Sequence, residues 1–114
     1  MNPGDIYLAD IPEAGEHPIV IVSREELNRG RKVLAALITS AKFQVRSTLA
    51  NCVVLKAGEF GMTKDCVVQC ETVAPIPKDV IDEDGGVVAT LSEDTMREII
   101  KAIGYVLDSD CEPA

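Results

Sequence analysis

The sequence predicts a mainly β fold, a small and strongly bent sheet or barrel with one C-terminal α-helix packed across it. Apolar, β-branched runs recur between turn residues from Gly4 to Pro77, whereas an apolar stripe of helical period occurs only within residues 90–108. A chain of 114 residues with 46% hydrophobic content is large enough to bury one real core but not two. Strands joined by hairpins and followed by a single amphipathic helix satisfy their apolar faces by bending the sheet around that helix. One domain over residues 1–108 is expected, with an acidic tail at 109–114.

The first strand is read from GDIYLAD (4–10), where Ile6 and Leu8 alternate with Asp5, Tyr7 and Ala9 in the period of a half-buried strand. IPEAGEH (11–17) reads as a loop, and PIVIVS (18–23) as a second strand that places Pro18 at its first residue, where a missing N–H is tolerated. The polar REELNRG (24–30) is a short helical turn or loop. KVLAALITS (32–40) is continuously apolar until its hydroxyl pair, as a central strand covered on both faces should be. AKFQVRSTLAN is a loop or short edge strand, CVVLKA (52–57) resumes the sheet, and GEFGMTKD (58–65) is a glycine-bounded turn. CVVQCETVAPIP (66–77) is a strand until its two prolines stop it. In TLSEDTMREIIKAIGYVLD (90–108), Met96, Ile99, Ile100, Ile103 and Leu107 form one apolar stripe, Ser92 is the N-cap, and Glu93 and Asp94 complement the helix N-terminus. Gly104 within it points to close packing or an early C-terminal turn.

Nineteen acidic against eleven basic residues give a net charge of −8, which opposes approach to a phosphate backbone unless the positive charges share a face. They do cluster along the chain, with Arg24, Arg29, Arg31 and Lys32 in one block and Lys42 and Arg46 in the next loop. No stretch approaches the roughly 20 apolar residues of a membrane span, and Asp5 falls too early for a secretory leader. A soluble, cytoplasmic protein without membrane contact is expected. Cys52, Cys66, Cys70 and Cys111 lack metal-ligand spacing, so four free thiols, no zinc and no cofactor are expected.

In order and spacing, GDIYLADIP, HPIVIVS, LNR, ALITS, DCVVQCETVAPIPK and LSEDTMREIIKAIGYVL together resemble the PemK/MazF family of toxin ribonucleases. The resemblance covers Gly4 to Leu107. It implies an SH3-like barrel, a symmetric homodimer, metal-independent cleavage of single-stranded RNA, and an antitoxin protein whose tail covers the RNA groove. Members of the family usually carry arginine before the proline that starts the second strand, where this chain has His17. Many carry another arginine two residues before an acidic residue, at positions matched here by Gln69 and Glu71.

Such cleavage uses the RNA 2′-hydroxyl as nucleophile, and needs a base, an acid, and donors for charge developing on the phosphate. Histidine can serve either proton role near neutrality but lacks the two-pronged grip of guanidinium. The resemblance therefore makes His17, Thr39 and Glu71 the catalytic candidates, with His17 and Glu71 moving protons. Ser40, Arg46, Arg24 and Gln69 are the RNA-binding candidates. The alternative is a non-catalytic module that binds a protein or nucleic-acid partner in the same groove, which the two missing arginines and the charge of −8 favour.

Overall fold

The computed structural model describes residues 1–108, so the acidic tail and Cys111 lie outside the described residues. Six strands form one antiparallel sheet: β1 (Asp5–Ile11), β2 (Gly15–Ile21), β3 (Lys32–Thr39), β4 (Cys52–Leu55), β5 (Cys66–Pro77) and β6 (Ala89–Thr90). Their order across the sheet is β4-β5-β3-β2-β1-β6. The short helix α1 (Phe43–Arg46) follows β3, and α2 (Glu93–Val106) packs against β4 and β5. The expected mainly β fold with one substantial C-terminal helix is the observed one.

The sheet buries both of its faces. Ile6, Val20, Ala36, Ile38, Val68 and Cys70 point to one side, where Ile99 and Ala102 of α2 close the core. Tyr7, Ala9, Ile19, Ile21, Val33 and Ala35 point to the other, covered by Ile81 from the segment after β5. This corrects the half-buried reading of β1. Residues 78–80 form a 3₁₀ turn and Ile81 bridges to Ala9, so the returning chain covers the side that alternation had assigned to water. β3 has the expected central place, pairing with β2 and β5, with a bulge between Ala35 and Leu37.

Three further readings are revised. Residues 15–17 belong to β2 rather than to a loop, because the turn after β1 is tight and Gly15 supplies its positive φ of 82°. Pro75 and Pro77 do not stop β5; they pair with Leu34 and Lys32 where β4 no longer flanks the strand, and an edge tolerates their missing N–H. The stretch after β3 holds α1, and β6 consists of two residues paired with Asp5 and Ile6, too short to show any period.

At the start of α2 the Ser92 hydroxyl accepts the Thr95 N–H at 3.2 Å, the expected cap. The helix runs through Gly104 and ends at Val106. Ile99 is fully buried and Ala102 nearly so, but Ile100 is 62% and Leu107 75% exposed, so the predicted stripe is only partly core.

Candidate functional site

His17 lies within β2, opposite Ala9 of β1. β2 pairs with β3 only from Ile19 onward. The next rung would set Pro18 against Ile38, and proline has no N–H to give, so the Ile38 carbonyl loses its ladder partner. His17 Nδ1 lies 3.4 Å from that carbonyl oxygen, and Nε2 lies 3.0 Å from the carbonyl of Ala14 in the β1–β2 turn. Both neighbours are acceptors. A neutral ring carries one N–H and satisfies one of them; only the imidazolium donates to both. The histidine thus ties the β1–β2 turn to the end of β3, and the Nδ1 contact is the longer and weaker.

A cleft of about 760 Å³ opens beside this tie. Continuing the register that pairs Ile19 with Leu37 brings Thr39 beside His17. His17, Pro18, Thr39 and Ser40 all line the cleft. Thr39 Oγ1 accepts the Ala41 N–H at 3.1 Å, which leaves its own proton to donate to a ligand. Three polar lining residues were not among the candidates: Glu16, Thr63 and Lys64. Glu16 precedes His17 in β2, while Thr63 and Lys64 come from the turn between β4 and β5, read from sequence only as a connection.

The other candidates lie elsewhere. Val67 of β5 pairs with Thr39, and Glu71 is four residues further along β5. That separation is about 13 Å along the strand, with two strand spacings of roughly 5 Å between β5 and β2. Glu71 accepts hydrogen bonds from Asn51 Nδ2 at 2.8 Å and from Gln69 Nε2 at 3.3 Å. Arg46 Nη1 donates to the Ala41 carbonyl at 3.0 Å, bracing the connection after Ser40. Gln69 and Glu71 therefore form a second polar group on the sheet, distinct from the cleft. Arg24 belongs to neither; it precedes the 3₁₀ turn at 25–27, beyond the opposite end of β2 from His17.

Cys52, Cys66 and Cys70 are free thiols. Burial pushes Cys70 up to about 12, helped by neighbouring Cys52 and Glu71, so it stays a neutral thiol at physiological pH. Burial likewise raises Cys52 and Cys66. None of the three is an activated nucleophile. Among the described residues no cluster of His, Cys, Asp or Glu is arranged to hold a metal ion, and no helix is long and apolar enough to cross a membrane.

Comparison with known proteins matches residues 2–107 to the family described as PemK-like, MazF-like toxin of type II toxin-antitoxin system. No curated protein matches the chain. Among solved structures, an endoribonuclease in complex with its cognate antitoxin from Mycobacterial species superposes with a TM-score of 0.78 at 21% identity, over 100% of this chain and 99% of that one. The Mycobacterium tuberculosis toxin MazF-mt6 superposes at 0.76 with 25% identity, over 91% of this chain and 96% of that one. A chain of the MazE-MazF structure from Deinococcus radiodurans gives 0.73 at 16% identity, over 95% of each chain.

Proposed function

The chain belongs to the PemK-like, MazF-like toxins of type II toxin-antitoxin systems, and from that premise we propose that it is a cytoplasmic endoribonuclease that cleaves single-stranded RNA without a metal ion. The observation that carries the reading is the cleft, where the chain's only histidine, two hydroxyls at the end of β3 and an ammonium meet in a space open to a polymer. Attack by the 2′-hydroxyl supplies its own nucleophile. The protein need only move two protons and stabilise charge on the phosphate.

His17 is the proton-transfer group of this reading, once a bound strand displaces its long contact with Ile38. Thr39 and Ser40 donate hydrogen bonds to the phosphate. Glu16 is the carboxylate nearest in sequence to His17 and shares its cleft. Glu71, Gln69 and Arg46 serve as contacts for the strand as it leaves the cleft, and Arg24 as an outlying charge.

The test is digestion of a long mixed-sequence RNA by the purified protein in the presence of a chelator. Discrete, sequence-specific fragments are expected. Intact RNA at every pH between about 5 and 9 would instead favour a non-catalytic module, the reading supported by the engagement of both His17 nitrogens.

The proposal includes two partners: a second copy of the chain in a homodimer, and an antitoxin protein that holds it. Ile100, Tyr105 and Leu107 expose apolar surface on and just after α2 that a single chain leaves in water. Sedimentation equilibrium at micromolar concentration is expected to give twice the chain mass, with an interface of roughly 1,200 to 2,000 Å². A monomer under those conditions refutes the dimer.

A further inference from the structure

An RNA cleft in a chain of net charge −8 needs a local cation, and three of the candidate positive groups are poorly placed. The His17 ring directs both nitrogens at backbone carbonyls. Arg46 is anchored to the Ala41 carbonyl and is not among the residues lining the cleft, and Arg24 is beyond the far end of β2. Among the described residues, Lys64 is the one lysine or arginine in the cleft wall.

The turn that carries it is well fixed. Gly58 donates its N–H to the Met62 carbonyl at 2.8 Å, and Ala57 donates to Asp65 Oδ1 at 2.8 Å. Gly61, with a φ of 75°, packs so closely on Val88 that a Cβ there would come within 3.0 Å of Val88 Cγ1. The carboxylate beside Lys64 in sequence is thus engaged by a backbone N–H. Among the described residues the ion pairs are those of Arg97 with Glu93 and Asp94, so the Lys64 ammonium has no carboxylate partner. A fixed turn, an ammonium with no ion-pair partner, and the hydroxyls of Thr39 at the end of β3 and of Ser40 just after it line one cavity, a set of donors suited to a phosphate.

We infer that Lys64 is the cation that holds the reacting phosphate of a bound single strand, an assignment that rests on the reading of the cleft as the RNA site. The hydroxyls of Thr39 and Ser40 face the same phosphate, and His17, once the strand displaces its contact with the Ile38 carbonyl, serves proton transfer rather than charge neutralisation.

The experiment separates binding from cleavage by using a short mixed-sequence single-stranded DNA, which lacks the 2′-hydroxyl nucleophile. Its affinity is followed by fluorescence anisotropy across a range of NaCl concentrations. Lys64→Gln is expected to lower affinity and to reduce the magnitude of the slope of log K against log salt by about 0.7, the loss of one phosphate contact on a single strand. Lys64→Arg should keep the slope, and Lys101→Gln, on the exposed side of α2, should leave it unchanged. Cleavage of single-stranded RNA by Lys64→Gln should fall by about 10²-fold. A Lys64→Gln protein with the wild-type slope and affinity overturns the assignment of Lys64 alone. A wild-type protein that binds no single strand overturns the nucleic-acid reading of the cleft and this inference with it.

Discussion

His17→Ala is expected to slow RNA cleavage by about 10²-fold or more, the usual worth of a positioned acid or base. Two separate losses contribute. Alanine removes the imidazole that moves the proton, and it removes the tie between the Ala14 and Ile38 carbonyls that shapes one wall of the cleft. Two other substitutions distinguish them. His17→Gln keeps an N–H donor that reaches a carbonyl but moves no proton. If the tie is the main contribution, glutamine restores much of the rate; if proton transfer is, glutamine is as slow as alanine. His17→Arg tests the remaining role, since arginine stays charged and grips phosphate without shuttling a proton. With Lys64 supplying the cation, arginine at position 17 should stay slow. A His17→Arg protein as fast as wild type would show that residue 17 holds phosphate and would remove it from proton transfer. Full-rate, sequence-specific cleavage by His17→Ala would remove it from the mechanism while leaving the ribonuclease reading in place.

The strands were legible because their residues carry the signal locally. Val33 to Ile38 is apolar on both faces, and β3 is indeed flanked by β2 and β5 with clusters on either side. The hydroxyls of Thr39 and Ser40 were legible for the same reason, standing at the end of that run and at the cleft. Lys64 was not, because a lysine in a glycine-bounded turn has the same local pattern whether it faces bulk water or a cavity. Its significance depends on β2, β3 and the β4–β5 turn meeting in space, although His17 and Lys64 lie 47 positions apart in the chain. Glu71 shows the converse. Its place two residues after Gln69 puts both side chains on one side of β5, yet alternation says nothing about how far along the strand the cleft ends. The buried outer face of β1 was invisible for a third reason: its cover, Ile81, arrives after the end of β5 from a segment with no periodic pattern of its own.

The apolar stripe of α2 gives the second large expected effect, because the structure divides residues that the sequence grouped together. At 3.6 residues per turn, successive side chains are about 100° apart around the helix. Centred on Ile99, that places Met96 and Ile103 within about 60° on one side and Ala102 about 60° on the other. Those are the positions packed on the sheet. Ile100 falls about 100° away, outside this face, and is 62% exposed where Ile99 has no exposure at all. Ile99 also sits above Cys70, whose thiol donates a weak hydrogen bond to the Ile99 carbonyl, so the helix and β5 are in direct contact there. Ile99→Ala should therefore cost about 2–5 kcal/mol in chemical denaturation, the range for a buried isoleucine that leaves a cavity. Ile100→Ala should change the stability of the isolated fold by no more than about 0.5 kcal/mol, as exposed substitutions do. The two variants also report on assembly. If Ile100 belongs to the dimer seam, its alanine variant keeps the unfolding free energy of the monomer but dissociates at higher protein concentration than wild type. Equal losses of stability from both substitutions would contradict the packing of α2 described here.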